Sequence, residues 1–373
     1  MVELQSSDTD RRSVASGVFV GTFAAVLALI AAFIVMDFSL ASLDAREARA
    51  SAARLHQEGV ALMRSGNAHE AADRFATAYS IRRGEVRYAI ALAQANLADG
   101  RVDEAEQTLQ EILPRAATSG PANLTMAQVL MRTGRVREAK AFYHRAIYGQ
   151  WSADSTNMRT RARLELVALL ARRHESRELL AELLPLEAIS SGSLPPRQLG
   201  FLFLQAGSPQ RALPVFRTLL RDNPDDADAY AGLGESALAL GNFVTARSDL
   251  LHASRLRPDD VGLKHRLEVA DGVLALAPNV RELSSAERSS RVRALLGAVL
   301  ADRQRCVGAA SDALRARATG EAMLAQPEKG SADSSTTNRM LGSAAAIWAT
   351  RPDSCPASPT SEPLSLVMRS LGD

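Results

Sequence analysis

The sequence predicts an all-α protein, and three observations support that prediction. Alanine and leucine dominate a chain of 373 residues in which aromatic residues make up 5%, a composition that favours helices over a β-sandwich. A glycine and an alanine recur at an interval of 34 residues in two long stretches. An uncharged run of 23 residues precedes this periodic region. We therefore expect a single N-terminal transmembrane helix, a solenoid of helical hairpins and a C-terminal helical extension.

Charge and cysteine content exclude several classes of function. The chain has 44 basic and 42 acidic residues, a net charge of +2, which excludes the basic excess of a dedicated nucleic-acid binder. Its 46% hydrophobic content excludes a wholly disordered chain. Two cysteines are too few for a four-thiolate zinc site or an iron–sulfur cluster. No nucleic acid, metal or cofactor is expected.

The uncharged run, residues 14–36, follows a tail at 1–13 and predicts a membrane span. As a helix it would measure about 35 Å, against about 30 Å for a bilayer core. A cleaved secretory signal and an N-terminal helix buried in the fold are the alternatives. Gly17 and Gly21 place small residues on one face of this helix, which predicts a homodimer contact.

The basic residues near this run predict its orientation. Arg11 and Arg12 lie close to its N-terminal end, whereas Arg46, Arg49 and Arg54 follow it at a greater distance. Positive residues near a span favour the cytoplasmic side. We therefore expect an inner-membrane protein with its N-terminus inside and the chain from residue 37 onward in the periplasm.

After a linker helix at 37–50, residues 51–276 are predicted to form pairs of antiparallel helices. In each clear pair a glycine ends the first helix at a position that needs positive φ. One small residue in each helix lets the two approach closely, and a bulky residue fills the space between them. The glycines are Gly66, Gly100, Gly134, Gly207 and Gly241. The small residues are Gly59, Ala93, Ala127, Gly200 and Gly234 in the first helices and Ala71, Ala105, Ala139, Ala212 and Ala246 in the second. The bulky residues are Phe75, Leu109, Tyr143, Phe216 and Leu250.

About six units follow from this pattern. The clear ones are predicted at 52–85, 86–119, 120–153, 193–226 and 227–260. A degenerate fourth unit at about 160–190 keeps its leucines at helical spacing, but Arg173 or His174 occupies the glycine position. A loop at 149–157 accounts for the longer spacing, and residues 261–276 are predicted to form a capping helix.

Residues 277–373 are predicted to extend the solenoid. Ser284 and Glu287 form a capping box before a helix with an apolar stripe at Val292, Leu295, Leu296, Val299 and Leu300. Further helices are expected at 309–325 and 338–350, followed by an irregular proline-rich stretch at 351–363 in the C-terminal tail. Outside the cytoplasm, Cys306 and Cys355 would form a disulfide that ties this tail to the helices. Two unrelated buried thiols are the alternative.

The repeats resemble the tetratricopeptide-repeat family. The resemblance rests on the shared glycine, alanine and bulky positions and on Tyr230-x-x-Leu233-Gly234, and it covers about residues 51–274. It implies that the first helices line a groove that holds a peptide or a partner helix. Aligning the repeats places eleven residues on that groove: His56, Met63, Arg64, Arg87, Gln94, Gln128, Met131, Arg132, Arg197, Phe201 and Gln205.

The sequence carries no motif for catalysis. It contains no phosphate loop, no Gly-x-Ser-x-Gly and no His-Glu-x-x-His, so we expect a protein that is not an enzyme. The predicted function is that of a membrane-anchored scaffold for protein–protein interaction, by analogy in envelope assembly, secretion or chaperone-accessory work. One alternative places the same scaffold on the cytoplasmic face, where it assembles a soluble complex. The other is an accessory subunit whose C-terminal segment, with Arg303, Arg305 and Trp348, binds a small molecule.

Overall fold

The computed structural model describes residues 7–152, 155–188, 194–305, 311–326, 334–352, 355 and 361–372. Side-chain surroundings are described within these ranges from residue 27 onward, apart from 28 and 311–313. The described residues form 17 α-helices, and their one β feature is an isolated bridge between Ser119 and Gln150. The all-α prediction is therefore confirmed for this part of the chain.

The chain divides into two compact units, Met1–Arg163 and Leu164–Asp373. The first contains α1 Ser7–Arg64, α2 Ala68–Ile81, α3 Val86–Ala98, α4 Val102–Ile112, α5 Gly120–Arg132 and α6 Val136–Tyr148. Helix α7, Ser155–Arg172, crosses the division. The second contains α8 Ser176–Ala188, α9 Pro196–Gln205, α10 Pro209–Asp222, α11 Ala227–Ala239, α12 Phe243–Leu256, α13 Val261–Leu276, α14 Ser285–Gln304, α15 Ser311–Ala325, α16 Ser334–Ala349 and α17 Ser361–Gly372.

Each hairpin turns at one residue in the left-handed region. The five predicted glycines have φ between +69° and +84°, which confirms the conformational requirement inferred from their spacing. The next residue closes the helix end by donating to a carbonyl five residues back, as in Asn67 N to Leu62 O at 2.9 Å. In the degenerate unit His174 takes this place with φ +55°, and Glu175 N donates to Leu170 O at 3.1 Å.

Close helix approach at the predicted small residues is also confirmed. A Cβ built on Gly59 would lie 2.6 Å from the Phe75 ring, and one on Gly200 would lie 2.7 Å from Phe216. The bulky residues of the five clear units are all buried, as are the alanines of the second helices. The 34-residue period therefore encodes the interior of each hairpin.

The predicted loop after α6 folds back onto the start of α5. Gly120 N donates to Gln150 O at 2.8 Å, and Gln150 N donates to Thr118 O at 2.7 Å. The Trp151 indole lies against Gly120, where a Cβ would be 2.3 Å away, and its Nε1 donates to Ala146 O at 2.8 Å. Glycine at the start of α5 therefore makes room for the indole.

The C-terminal region contains a helix that the sequence pattern did not predict. The capping box at Ser284 and Glu287 is present at the start of α14, and the predicted apolar stripe of that helix is buried. The chain was expected to be irregular through Pro363, but α17 begins at Ser361 and buries Pro363, Leu364, Val367 and Met368. Proline is compatible with the first turn of a helix, so its presence did not exclude one.

The predicted transmembrane helix and inner-membrane location are wrong. No helix in the part of the chain that the structure describes is long and apolar enough to cross a membrane. Helix α1 joins the predicted anchor, the linker and the first repeat helix, and large apolar side chains between Leu27 and Leu43 are exposed on it in the isolated chain. The homodimer predicted at Gly17 and Gly21 concerns side-chain surroundings outside the described residues and stays a prediction.

Candidate functional site

Two neighbouring pockets open on the first helices of the hairpins in the first unit. Pocket 1 has a volume of about 440 Å³, and pocket 2 has about 400 Å³. The lining of pocket 1 is His56, Val60, Met63, Arg64, Phe75, Arg87, Ile90, Ala91, Gln94 and Pro121. The lining of pocket 2 is Gln94, Leu97, Ala98, Gln128, Met131, Arg132 and Tyr143. Because Gln94 lines both, we treat the two pockets as one surface and call it the unit 1 groove.

Eight of the eleven residues that the repeat alignment placed on the groove line these pockets. They are His56, Met63, Arg64, Arg87, Gln94, Gln128, Met131 and Arg132. The structure brings these eight together on α1, α3 and α5 of the first unit. Their contact with a partner stays a prediction.

The floor of pocket 1 is aromatic and buried. Phe75 is 2% exposed and lies against Gly59. The His56 ring lies 5.4 Å from the Phe75 ring and 5.3 Å from the Tyr88 ring, between centroids. Packing at the hairpin interior therefore positions His56 at the pocket.

Burial lowers the pKa of His56, and the nearby Arg87 guanidinium lowers it further. Its ordinary value is 6.5, so the imidazole is mainly neutral at neutral pH. The positive charge of pocket 1 therefore comes from arginines. Arg87 is held over the Tyr88 ring at 4.8 Å and donates from Nη2 to the Tyr88 hydroxyl at 3.2 Å.

Arg64 and Arg132 are exposed at the ends of α1 and α5. Neither makes an ion pair with any residue that the structure describes. Their guanidinium groups are therefore available to an incoming ligand.

Gln94 is fixed at the junction of the two pockets. Its Nε2 donates to Thr125 Oγ1 at 3.2 Å, and Thr125 Oγ1 donates to Pro121 O at 2.9 Å. Through this chain of hydrogen bonds α3 and α5 orient the Gln94 carboxamide. Its oxygen is left to accept from a ligand N–H.

The other three predicted groove residues belong to the second unit and have internal partners. Arg197 pairs with Asp226 at 2.7 Å and with Asp228 at 3.1 Å. The ring of Phe201 lies 5.0 Å from that of Phe216. The third, Gln205, donates from Nε2 to a backbone carbonyl of α7 at 3.0 Å. These contacts give each side chain a structural role.

The prediction missed several apolar lining residues, although a signal for them was present. Met63, Leu97 and Met131 occupy the same position in successive units, 34 residues apart. Only the two methionines were selected, yet Leu97 lines pocket 2. Applying the period to every position of the first helix would have included Leu97 as well.

A second cluster surrounds Asp302 in the C-terminal region. Asp302 is 1% exposed and accepts from Arg351 Nε at 2.8 Å, Ser361 Oγ at 2.8 Å and Arg305 Nη2 at 2.9 Å. Burial raises the pKa of Asp302, but the hydrogen bonds from these three residues outweigh it and hold the pKa below its ordinary value. The carboxylate ties α14 to the chain after α16 and to the start of α17.

This cluster accounts for residues that one alternative assigned to a small-molecule site. Arg305 is bonded to Asp302, and Arg351 stacks over the Trp348 ring at 5.4 Å. Arg303 is buried. Across the described residues no group of three histidine, cysteine or acidic side chains converges to hold a metal. The arrangement serves as an internal anchor.

Cys355 is disulfide-bonded, and no cysteine in the described ranges is free. Cys306 lies outside the described residues. The pairing of Cys306 with Cys355 therefore stays a prediction.

Comparison with known families supports the repeat assignment. Tetratricopeptide-repeat family models match residues 62–122 and 198–261. The chain contains tetratricopeptide repeats. The first match covers much of the unit 1 groove, and the second covers α9 to α12. Tetratricopeptide repeats mediate protein–protein interaction.

Two curated proteins are similar to part of the chain. Human protein O-mannosyl-transferase TMTC1 is 27% identical over 192 residues, which is 49% of this chain and 21% of that protein. Superkiller protein 3 of Schizosaccharomyces pombe is 39% identical over 67 residues, 18% of this chain and 5% of that protein. The chain thus spans a small part of either relative. Among solved structures, YrrB, described as a tetratricopeptide protein with an unusual peptide-binding site, is 19% identical with a TM-score of 0.40, covering 52% of this chain and 97% of its own.

Proposed function

We propose that this protein is a non-enzymatic scaffold that binds an extended segment of a partner protein in the unit 1 groove. Tetratricopeptide repeats supply the fold, and interaction with proteins is the general role of that fold. Pocket volumes of 440 and 400 Å³ lie within the range of ligand-binding clefts, and they give room for side chains of an extended segment. The proposal concerns the groove of the first unit and leaves out Arg197, Phe201 and Gln205, which have internal partners.

The observation that carries this proposal is the continuity of the two pockets at Gln94. One extended ligand lying across α1, α3 and α5 would place a side chain in each pocket and its backbone beside the Gln94 carboxamide. Apolar side chains in the pockets provide binding energy, and a fixed polar group between them sets the register.

We do not assign to this protein the transferase activity of one relative. We also do not assign to it the envelope processes that the predicted membrane anchor suggested. The match to TMTC1 covers 21% of that protein, and the predicted anchor that suggested envelope assembly, secretion or chaperone-accessory work is wrong. Binding of a protein segment is what the groove itself supports.

A photo-crosslinking experiment tests the proposal. Benzoylphenylalanine is introduced at Gln94, and in a matched control at Arg83, which is exposed on the first unit outside both pockets. We expect irradiation in cells to produce a discrete adduct from the Gln94 variant, and expect no such adduct from the Arg83 variant. Identical adduct patterns, or adducts from Arg83 alone, would place the interface elsewhere on the chain.

A further inference from the structure

The arginines of the first unit differ in how they are paired. Several lie beside carboxylates within the same unit, whereas Arg64 and Arg132 have no such partner among the described residues. The paired examples are Arg74 with Glu58 at 3.6 Å, Arg82 with Glu85 at 3.0 Å, Arg115 with Glu111 at 3.9 Å, and Arg135 with Glu106 at 2.6 Å and Glu138 at 2.7 Å. Other arginines, such as Arg83 and Arg137, also lack an ion pair among the described residues, but Arg64 and Arg132 line the groove, and no aspartate or glutamate lines either pocket.

We propose that the segment bound in the unit 1 groove is acidic at both ends and apolar between them, an inference that rests on the proposed function. Two uncompensated guanidinium groups at the pocket rims attract carboxylates and disfavour basic ligands. Arginine is suited to this role because its planar fork binds a carboxylate through two parallel hydrogen bonds.

The repeat register gives the spacing of these groups. The dipeptides Met63-Arg64 and Met131-Arg132 occupy the same position two units apart, at the ends of α1 and α5. Between them Leu97-Ala98 keeps the apolar residue and lacks the charge. At this repeat position the groove is therefore basic on α1 and α5 and uncharged on α3, while Arg87 at the start of α3 pairs with Glu85 at 3.7 Å.

This pattern sets the length of the ligand. Packed helices lie about 8–10 Å apart, so two repeat intervals span roughly 20 Å, and an extended chain covers that distance in about six residues. We infer two carboxylates about six residues apart, with two apolar side chains about three residues apart between them. The apolar side chains enter pockets 1 and 2, and a backbone N–H between them donates to the Gln94 carboxamide oxygen.

Fluorescence anisotropy with the full chain tests this inference. The probe is a fluorescein-labelled synthetic peptide with two leucines and a terminal aspartate at each end in the inferred spacing. The comparison peptide replaces both aspartates with lysine. The protein is used as wild type, as the groove variant Arg64→Glu/Arg132→Glu, and as the control Arg83→Glu/Arg137→Glu, whose arginines are exposed outside the pockets.

We expect wild type to bind the acidic peptide about tenfold or more tightly than the basic one, with the difference shrinking as salt is added. The groove variant should reverse the preference, whereas the control variant, which has the same net charge, should keep it. Circular dichroism confirms that both variants remain folded.

Equal binding of the two peptides to wild type, or tighter binding of the basic one, would overturn the charge inference. A Gln94 photo-adduct obtained alongside that result would leave the proposed function standing. Tighter binding of a third peptide, with the same groups at the spacing of a helix, would overturn the extended geometry. Preserved acidic preference in the groove variant would show that Arg64 and Arg132 do not supply the charge.

Discussion

His174→Gly should stabilise the second unit. His174 holds the left-handed helix-ending position with φ +55°, where five equivalent positions carry glycine. It is exposed, and its side chain has no partner among the described residues. Its backbone already makes the hydrogen bonds of this helix end, from His174 N to Ala171 O at 3.1 Å and from Glu175 N to Leu170 O at 3.1 Å. The substitution therefore removes a Cβ from a strained conformation and removes no interaction.

The size of the gain follows from two opposing terms. A non-glycine residue in the left-handed region costs roughly 1–2 kcal/mol. Replacing histidine with glycine also lowers stability by about 0.4–1 kcal/mol, because glycine increases the conformational entropy of the unfolded chain. The net expectation is a gain of about 1 kcal/mol, which corresponds to a rise in Tm of about 2–4 °C for a domain of this size.

Urea denaturation followed by circular dichroism measures this difference. The mirror substitution Gly207→His is the matched control, because Gly207 has φ +69° and no atom within 4 Å of a built Cβ. It should lose about the amount that His174→Gly gains. A loss of about 1 kcal/mol at His174→Gly, as for a glycine placed inside a helix, would refute the assigned strain.

Packing, charge and covalent linkage each yield one further expectation. Gly232→Ala should cost about 2 kcal/mol, because the new Cβ would lie 2.3 Å from the buried Phe216 ring. Gly342→Ala, at an exposed position, should increase the free energy of unfolding by about 1 kcal/mol. Chemical denaturation measures both variants, and increased stability of Gly232→Ala would contradict the packing. Asp302→Asn should cost about 3 kcal/mol near neutral pH. Because the folded-state pKa of Asp302 is lowered, its contribution is fully present above the unfolded-state pKa of about 3.9 and is lost as the pH falls through the folded-state value. The stability curves of wild type and variant should therefore converge in acid, and parallel curves would contradict the assignment. Reducing the Cys355 disulfide should lower stability by about 3–4 kcal/mol, and an unchanged denaturation midpoint after complete reduction would exclude a stabilising role.

The hairpins were predictable because their interiors repeat. A glycine such as Gly66 needs positive φ, and a pair such as Gly59 and Phe75 must fit together, so both recur every 34 residues wherever the hairpin recurs. The degenerate turn at His174 was located by the same register. Local requirements that repeat leave a signal in a single sequence.

The C-terminal helix and the membrane span show where this signal fails. Helix α17 occurs once in the sequence and follows a proline-rich stretch. Its Leu364 and Val367 pack in a core with residues that are distant in the sequence. The uncharged run at 14–36 satisfied a length rule, but no helix among the described residues is long and apolar enough to cross a membrane.

The candidate site was predictable in its repeated part. Eight selected residues line the two pockets because they share repeat positions. Arg197 was selected by the same register, but its ion pairs with Asp226 and Asp228 arise from the N-terminus of α11 and depend on tertiary structure. Pairing of charges across helices is invisible to a single-sequence alignment of repeats.

The central claim is that the unit 1 groove binds a protein segment, and methyl NMR tests it most directly. Methionine methyl groups are labelled in the full chain, and the partner recovered through the Gln94 adduct is titrated in. Met63 and Met131 line the pockets, whereas Met340 and Met368 are buried in the second unit and serve as internal references. We predict that the Met63 and Met131 resonances shift saturably while the two references stay in place. Saturable shifts confined to Met340 and Met368, with Met63 and Met131 unmoved, would contradict the claim.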